Sequence, residues 1–286
     1  LTFDFSPALL LNGRSLRRQA FEGCSALTNI EIPDTITDIE SSTFSGCSSL
    51  ANITVPESVT NIKWGAFSGC SSLTSIEIPK GVTSIEDSTF SGCSSLTSIK
   101  IPEGVTSIGT YAFDGCSSLT NIHIPESVTD IEWSAFSNCS SLVSIKIPNK
   151  VTTIEDLTFY KCTNLESVEL PESIINVKMG AFNNCTNLKN LILSKKITDI
   201  DEVIDSGNIY IICDATIYAV QNSAAHKYAE EHEQGYILDN KGPNINIMTD
   251  KILTNKKQTL NIPVEVKDNF EEVGVEEGTI KYAIST

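Results

Sequence analysis

Residues 70–92 read CSSLTSIEIPKGVTSIEDSTFSG, and Cys93 begins the next copy of the same pattern without a gap. Cysteine recurs in this way every 23 residues, and the periodic cysteines are Cys24, Cys47, Cys70, Cys93, Cys116, Cys139, Cys162 and Cys185. A fixed period of this length is typical of proteins built from stacked structural repeats. The repeat, and not any single motif, therefore decides the fold.

Each repeat contains two short extended segments. Ile76 and Ile78 alternate with polar residues, which indicates a strand with one buried face. Pro79 then ends this strand, because proline has no N–H for a continuing ladder. The β-branched pair Val82 and Ile85 predicts a second extended segment. The residues before the recurring phenylalanine predict a short helical or 3₁₀ turn.

The periodic cysteines are best interpreted as small buried residues. One 23-residue coil cannot bury its own apolar side chains, so successive coils must stack and place like residues over like. The chain has no CxxC pair for zinc, and parallel side chains on neighbouring rungs oppose disulfides. Cysteine is also among the residues most often buried. Gly or Asn precedes most of these cysteines and tolerates a left-handed backbone. Positive φ is therefore predicted at Gly23, Gly46, Gly69, Gly92, Gly115, Asn138 and Asn184, and Lys161 is the exception in residue type.

The columns L-x-x-I-x-I-P, V-x-x-I and A-F-x-x-C, repeated over roughly residues 21–238, resemble the BspA-like leucine-rich repeats. The resemblance implies a right-handed α/β repeat solenoid, mostly β with short helical turns, that has a parallel sheet on one face. It also implies a secreted or cell-surface protein. Some members of this family bind host matrix proteins or other cells.

The regularity of the pattern divides the chain into five parts. Residues 1–20 predict a degraded N-terminal coil that caps the stack, and residues 21–208 form the repeat array. Residues 209–238 predict a C-terminal capping segment with a helix within 222–235, with Asn222 or Ser223 as its N-cap and Gly235 beyond its end. Residues 239–243 (DNKGP, with Asp239 first) predict a linker. Residues 244–286 alternate as strands and resemble the opening of a bacterial immunoglobulin-like domain, a partial β-sandwich.

The charge of the chain excludes several classes of partner. Its 36 acidic and 20 basic residues leave a net charge of −16. Nucleic acids and anionic lipids both require clustered lysine and arginine, so neither is expected as a partner. No transmembrane segment of roughly 18 apolar residues and no signal peptide is visible in the sequence.

Catalytic and metal-binding motifs are not found. No nucleophile elbow, phosphate loop, zinc-protease or EF-hand pattern occurs, so no cofactor or metal is expected. Cys213 and His226 are the pair that a cysteine-dependent enzyme would use, but no family signature surrounds either residue. The acidic residues Asp199, Asp201, Glu202 and Asp205 offer oxygen ligands for Ca²⁺, but a solvated acidic edge is the preferred interpretation, because the EF-hand spacing with its glycine is missing.

The candidate binding residues are those that vary while the scaffold repeats. Trp64 and Trp133 fall in one column and Tyr111 in the next, and exposed Trp and Tyr are common interface anchors. The alternative is that these aromatic rings lie flat and cover the core. The outward position of the first strand predicts a stripe that is acidic at its ends and basic in the middle, or a set of charges that serve solubility alone. The charged residues of this stripe are Glu31, Glu77, Lys100, His123, Lys146 and Glu169.

The sequence therefore favours a non-catalytic cell-surface or extracellular protein that binds a protein or other extracellular macromolecule, including host matrix or cell-surface components. A passive structural spacer within a longer surface protein is the main alternative. A cysteine-dependent enzyme is the third.

Overall fold

A computed structural model of the chain describes residues 10–11, 13–188, 190–192, 199–200, 216–219, 236–238, 245–247 and 264–266, with side chains for 13–188 and Leu191. Between residues 13 and 200 the backbone winds as a β-solenoid of about seven turns. Equivalent residues of successive coils pair in register, as in Ile76 with Ile99 and Ile85 with Ile108. The predicted stacked-repeat architecture is confirmed.

The first extended segments of successive coils pair in parallel, and their strands form one two-stranded and one five-stranded sheet. Ile76 is buried between two exposed neighbours, as the alternating pattern predicts. In other coils the same ladder is reduced to single bridges, such as Glu31 with Thr54 and Lys100 with His123. The strands of this ladder are β5 (Ser75–Glu77), β7 (Ser98–Lys100), β10 (Ser144–Lys146), β12 (Ser167–Glu169), β14 (Asn190–Ile192), β16 (Thr216–Ala219) and β17 (Tyr236–Leu238).

The second extended segment forms another parallel ladder. Its apolar residue points inward in every coil from Leu16 to Val177, and Leu16 and Ile39, which pair with each other, are fully buried. The strand β1 (Leu10–Leu11) pairs antiparallel with the first strand of this ladder. The strands of the ladder are β2 (Ser15–Leu16), β3 (Asp38–Ile39), β4 (Asn61–Ile62), β6 (Ser84–Ile85), β8 (Ser107–Ile108), β9 (Asp130–Ile131), β11 (Thr153–Ile154), β13 (Asn176–Val177) and β15 (Asp199–Ile200).

The third side of each coil is a run of hydrogen-bonded turns and not a helix. The predicted helical or 3₁₀ turn, and with it the α component of the fold, is wrong for residues 13–188. Two left-handed residues per coil prevent a helix here, because a helix needs negative φ throughout. One is the predicted position before cysteine, which includes Lys161 at φ 57°. The other column was not predicted and comprises Gln19, Ser42, Gly65, Ser88, Tyr111, Ser134, Leu157 and Gly180.

These turns also connect neighbouring coils. The amides of Ser42, Phe44 and Gly46 donate to carbonyl groups of the next coil at 2.7–2.9 Å. Alternate amides donate within their own turn, as from Cys47 to Phe44 O. The turn side thus forms a third ladder, and the backbone polar groups of the coil are satisfied without a helix.

The core is a set of columns in which each residue type stacks on itself. The phenylalanine rings from Phe21 to Phe182 lie parallel, with centroids 5.3–5.7 Å apart. The thiol of each cysteine from Cys47 to Cys185 donates to a phenylalanine carbonyl of the preceding coil, as from Cys116 to Phe90 O at 3.2 Å. Each thiol is therefore both packed and hydrogen-bonded.

The C-terminal part is described only as short strands. The predicted segment 209–238 contributes β16 and β17, whereas the predicted helix within 222–235 and linker 239–243 lie outside the described residues. Farther on, β18 (Ile245–Ile247) and β19 (Val264–Val266) pair antiparallel. In the part of the chain that the structure describes, no helix has the length and apolarity needed to cross a membrane.

Candidate interaction surface

The buried cysteines of the ladder, Cys47 to Cys185, are not reactive nucleophiles. Burial raises the pKa of Cys47 to about 11 and that of Cys93 to about 12, and it also raises the pKa of Cys116 well above the ordinary value of 9.0. The thiolate is the nucleophilic form, so these thiols are inert at neutral pH. All eight described cysteines are free thiols, with no disulfide among them.

Cys24 is the exception to the buried ladder, and its predicted burial is wrong. Its side chain is exposed, whereas the other seven periodic cysteines are fully buried. A residue inside the stack is covered from above and below, but Cys24 begins its column. The described coil that carries Cys47 covers it from one side only.

The charged stripe lies on the exposed face of the first ladder. All six of its predicted residues are exposed. In the backbone register Glu77 pairs with Lys100, and Lys100 pairs with His123. Lys146 Nζ lies 3.9 Å from carboxylate oxygens of Glu126 and Glu169.

The basic middle of this stripe is surrounded by acids. His123 Nε2 also lies 3.9 Å from Glu103. Exposed pairs at such distances contribute little to stability, about 0–1 kcal/mol. The stripe is thus a set of solvated charges that are available to a partner.

The two tryptophans are exposed on the turn side of the solenoid. Trp64 exposes 47% of its surface and Trp133 exposes 39%. Their column runs along the stack, because the residue that follows each member hydrogen-bonds to the next member, as from Ser134 N to Asp156 O at 2.9 Å. Three coils separate the two indoles, which is about 14 Å of stack. Each indole covers part of its coil and still presents a large apolar area to solvent.

The structure brings Tyr111 and Trp133 together and leaves Trp64 apart. The ring centroids of Tyr111 and Trp133 are 4.6 Å apart, with the planes at 63°. Tyr111 also has φ of 55°, in a column that otherwise holds Gln, Ser, Gly and Leu. An L-residue in this region carries a cost of roughly 1–2 kcal/mol. Every described coil has positive φ in this column, so the coil sets the backbone geometry, and the unusual feature of Tyr111 is its large aromatic side chain.

Two further apolar residues extend this aromatic pair, and neither was predicted from the sequence as a binding residue. Leu157 occupies the left-handed column at φ 55° and is half-buried, and Met179 exposes 39% of its surface. The Leu157 amide donates to Met179 O at 2.9 Å, so their coils are adjacent. We name Tyr111, Trp133, Leu157 and Met179 the apolar strip. The signal in the sequence was a large side chain at a position where other coils have small or polar residues.

A carboxylate is held at the N-terminal side of the apolar strip. Asp87 Oδ1 accepts a 2.9 Å hydrogen bond from the amide of Thr110, the residue before Tyr111. A Cβ on Gly109 would lie only 2.5 Å from this oxygen and 2.7 Å from the Asp87 amide nitrogen. Glycine at 109 is therefore required for this arrangement.

Catalytic and metal sites have no support among residues 13–188. No group of three or more His, Cys, Asp or Glu side chains there is arranged to hold a metal ion. The proposed pair Cys213 and His226 lies outside the described residues. The same holds for the side chains of the predicted calcium cluster, Asp199, Asp201, Glu202 and Asp205.

Comparison with known proteins agrees with the geometry. Residues 14–142 and 83–209 match the description "BspA type Leucine rich repeat region", in six copies. A leucine-rich repeat protein from Bacteroides ovatus is 35% identical with a TM-score of 0.65, over 73% of this chain and 54% of that protein. The chain thus spans about half the length of that protein. The leucine-rich repeat protein of T. pallidum is 32% identical with a TM-score of 0.53, over 56% of this chain and 78% of that one. No curated protein matches the chain significantly.

Proposed function

The chain belongs to the family of BspA-type leucine-rich repeat proteins, and we propose that it is a non-catalytic module that binds other proteins at the cell surface or outside the cell. The observation that carries the proposal is a constant core under a variable surface. The inward columns repeat almost without change, whereas the exposed columns differ from coil to coil. Regular scaffolds with variable outer positions suit extended recognition.

Two surfaces are the candidates for contact with partners. The first is the turn-side column with Trp64 and Trp133, since exposed aromatic residues are favoured anchors. The second is the charged stripe, whose basic residues Lys100, His123 and Lys146 contrast with the net charge of −16. The partner in this proposal is a protein or other extracellular macromolecule, including host matrix or cell-surface components, as the family resemblance implies.

A pull-down from extracellular matrix and cell-surface extracts tests the proposal. The whole chain is compared with Trp64→Ala/Trp133→Ala and with the charge reversal Lys100→Glu/Lys146→Glu. Val143→Ala is the matched control, because Val143 exposes 41% of its surface on a different column. We expect discrete partners that the control retains and at least one double variant loses. Capture of nothing by the intact chain would contradict the proposal.

A passive spacer is the second candidate function. Its support is the turn-side ladder, whose hydrogen bonds between coils continue from Gln19 N–Ser41 O to Lys161 N–Asn183 O. In this reading residues 244–286 begin an immunoglobulin-like domain, and the antiparallel pair β18 and β19 is compatible with such a β-sandwich. The spacer would be favoured if neither the wild type nor any of the surface variants captured a partner in the pull-down.

A further inference from the structure

The apolar strip points to a particular chemistry in the partner. Each of four successive coils contributes one large side chain, in the order Tyr111, Trp133, Leu157 and Met179. The first and last of these coils are about 14 Å apart along the stack. The strip is thus long enough for a short extended segment of a partner and too narrow for a broad hydrophobic interface.

The charges beside the strip are almost all negative. The two columns that precede the left-handed residue contain five acids and one base between residues 86 and 179. The base is Lys178, which has a partner of its own, as does Glu155 among the acids. The five acids are Glu86, Asp87, Glu132, Glu155 and Asp156.

Two of these carboxylates, those of Asp87 and Asp156, are next to the aromatic pair. Glu86 is already paired, since Lys63 Nζ lies 3.0 Å from its Oε1 and the Trp64 amide donates to its Oε2. Asp87 is fixed by the Thr110 amide one coil before Tyr111, and Asp156 follows Trp133 in the same column. The aromatic pair therefore lies between two carboxylates.

Aromatic faces and carboxylates recognise the same kind of group. A guanidinium or ammonium ion is attracted to the face of Trp or Tyr, and it also pairs with carboxylates. Arginine adds a planar surface that stacks on aromatic rings. Leu157 and Met179 offer apolar contact in the next two coils, where an acidic or purely polar ligand would gain nothing.

We infer that the apolar strip, with Asp87 and Asp156, is a docking site for a basic segment of a partner protein in which arginine or lysine alternates with apolar residues. The cationic side chain lies against Tyr111 and Trp133, and the apolar side chains lie against Leu157 and Met179. This inference rests on the proposed function, since it assigns one surface and one partner chemistry to a protein-binding array. It also gives a reason for a tyrosine at position 111, where the left-handed backbone common to the column places its ring against Trp133.

The test uses tryptophan fluorescence, because the chain has only two tryptophans. Trp64→Phe leaves Trp133 as the sole indole, and Trp133→Phe leaves Trp64 as a matched control. The probe is a hexapeptide of alternating arginine and leucine. The control peptides replace arginine by glutamate, or leucine by serine. We expect saturable quenching of Trp133 by the arginine–leucine peptide, at a concentration at least about fivefold lower than any response of Trp64.

Tyr111→Ser and Asp87→Asn then separate this site from general attraction to an acidic protein. Serine already occupies the Tyr111 column at Ser42, Ser88 and Ser134, so the first variant is expected to fold. Each variant should weaken the response of Trp133 by about threefold to tenfold. An unchanged titration in Tyr111→Ser, equal binding of the glutamate peptide, or equal responses of the two indoles would overturn the inference.

The pull-down distinguishes this inference from the proposed function. If the whole chain captures partners and Tyr111→Ser captures them equally, the array binds proteins elsewhere and only the present inference fails. If the peptide titrates Trp133 as expected but the intact chain captures nothing, the site stands and the broader proposal fails.

Discussion

Alkaline pH should destabilise this protein through its buried thiols. The pKa of Cys93 is raised by burial to about 12 from an ordinary value of 9.0, and burial also raises the pKa of Cys116 well above 9.0. A group whose pKa is higher in the folded state contributes stability that is complete below its unfolded pKa. That contribution is lost as the pH rises from 9 through the folded pKa.

The magnitude follows from the number of thiols. At pH 10 an unfolded thiol of pKa 9 is mostly ionised, and it favours the unfolded state by about 1.4 kcal/mol relative to a buried neutral thiol. Six such thiols together weaken the fold by about 8 kcal/mol between pH 8 and 10, which is comparable to the whole stability of many domains. The six thiols are those of Cys47, Cys70, Cys93, Cys116, Cys139 and Cys162.

Urea unfolding at pH 8, 9 and 10, followed by circular dichroism with a reductant present, measures this loss. Cys116→Ala is expected to lower stability at pH 8, because it removes a packed side chain and its hydrogen bond to Phe90 O. Its further loss between pH 8 and 10 should be smaller than that of wild type by about 1.4 kcal/mol. Cys24→Ala is the matched control, since this side chain is exposed in the folded protein, and its pH dependence should equal that of wild type. Equal pH dependence of Cys116→Ala and wild type would refute the reasoning.

Three further predictions concern the coil itself. Gly115→Ala should lower the free energy of unfolding in urea by about 1 kcal/mol, because φ is +70° at this residue. Gly115→Asn should lower it clearly less, since asparagine tolerates this region. Equal losses in the two variants would contradict the backbone argument. Phe113→Leu should cost about 2 kcal/mol beyond the change in buried area, because two ring stacks at 5.4–5.5 Å are lost; a loss under about 0.5 kcal/mol would show that stacking is unimportant. In native labelling with iodoacetamide at pH 8, mapped by mass spectrometry, Cys24 should react at least about a hundredfold faster than Cys93, and comparable rates would show that the ladder opens readily.

The repeat architecture could be predicted because every inward position occurs many times. A single Ile or Phe indicates little, but Phe90 and its equivalents every 23 residues can be buried together only if the coils stack in register. The left-handed position before cysteine was also predictable, since Gly and Asn dominate it. The second left-handed column was missed because most of its residues are Gln, Ser, Tyr and Leu, which do not favour positive φ.

The candidate site was only partly predictable. Tyr111 and Trp133 were selected as separate exposed aromatics, and nothing local to either residue indicated their edge-on contact at 4.6 Å. Leu157 and Met179 were not selected at all, since a single leucine or methionine in the sequence resembles an ordinary core side chain. The role of Gly109 depends on Asp87, which belongs to the preceding coil.

The sequence by itself determined which side chains face inward, because a period of 23 residues forces equal rungs to share one core. Only the tertiary structure decided which outward side chains meet, because those contacts cross between rungs and depend on how each side chain leans. Leu157 illustrates this, since its Cδ2 lies only 2.8 Å from the position that a Cβ on Gly180 of the next coil would occupy. Cys24 illustrates the other limit: it occupies the same position as seven buried cysteines, yet its place at the start of the column leaves it exposed.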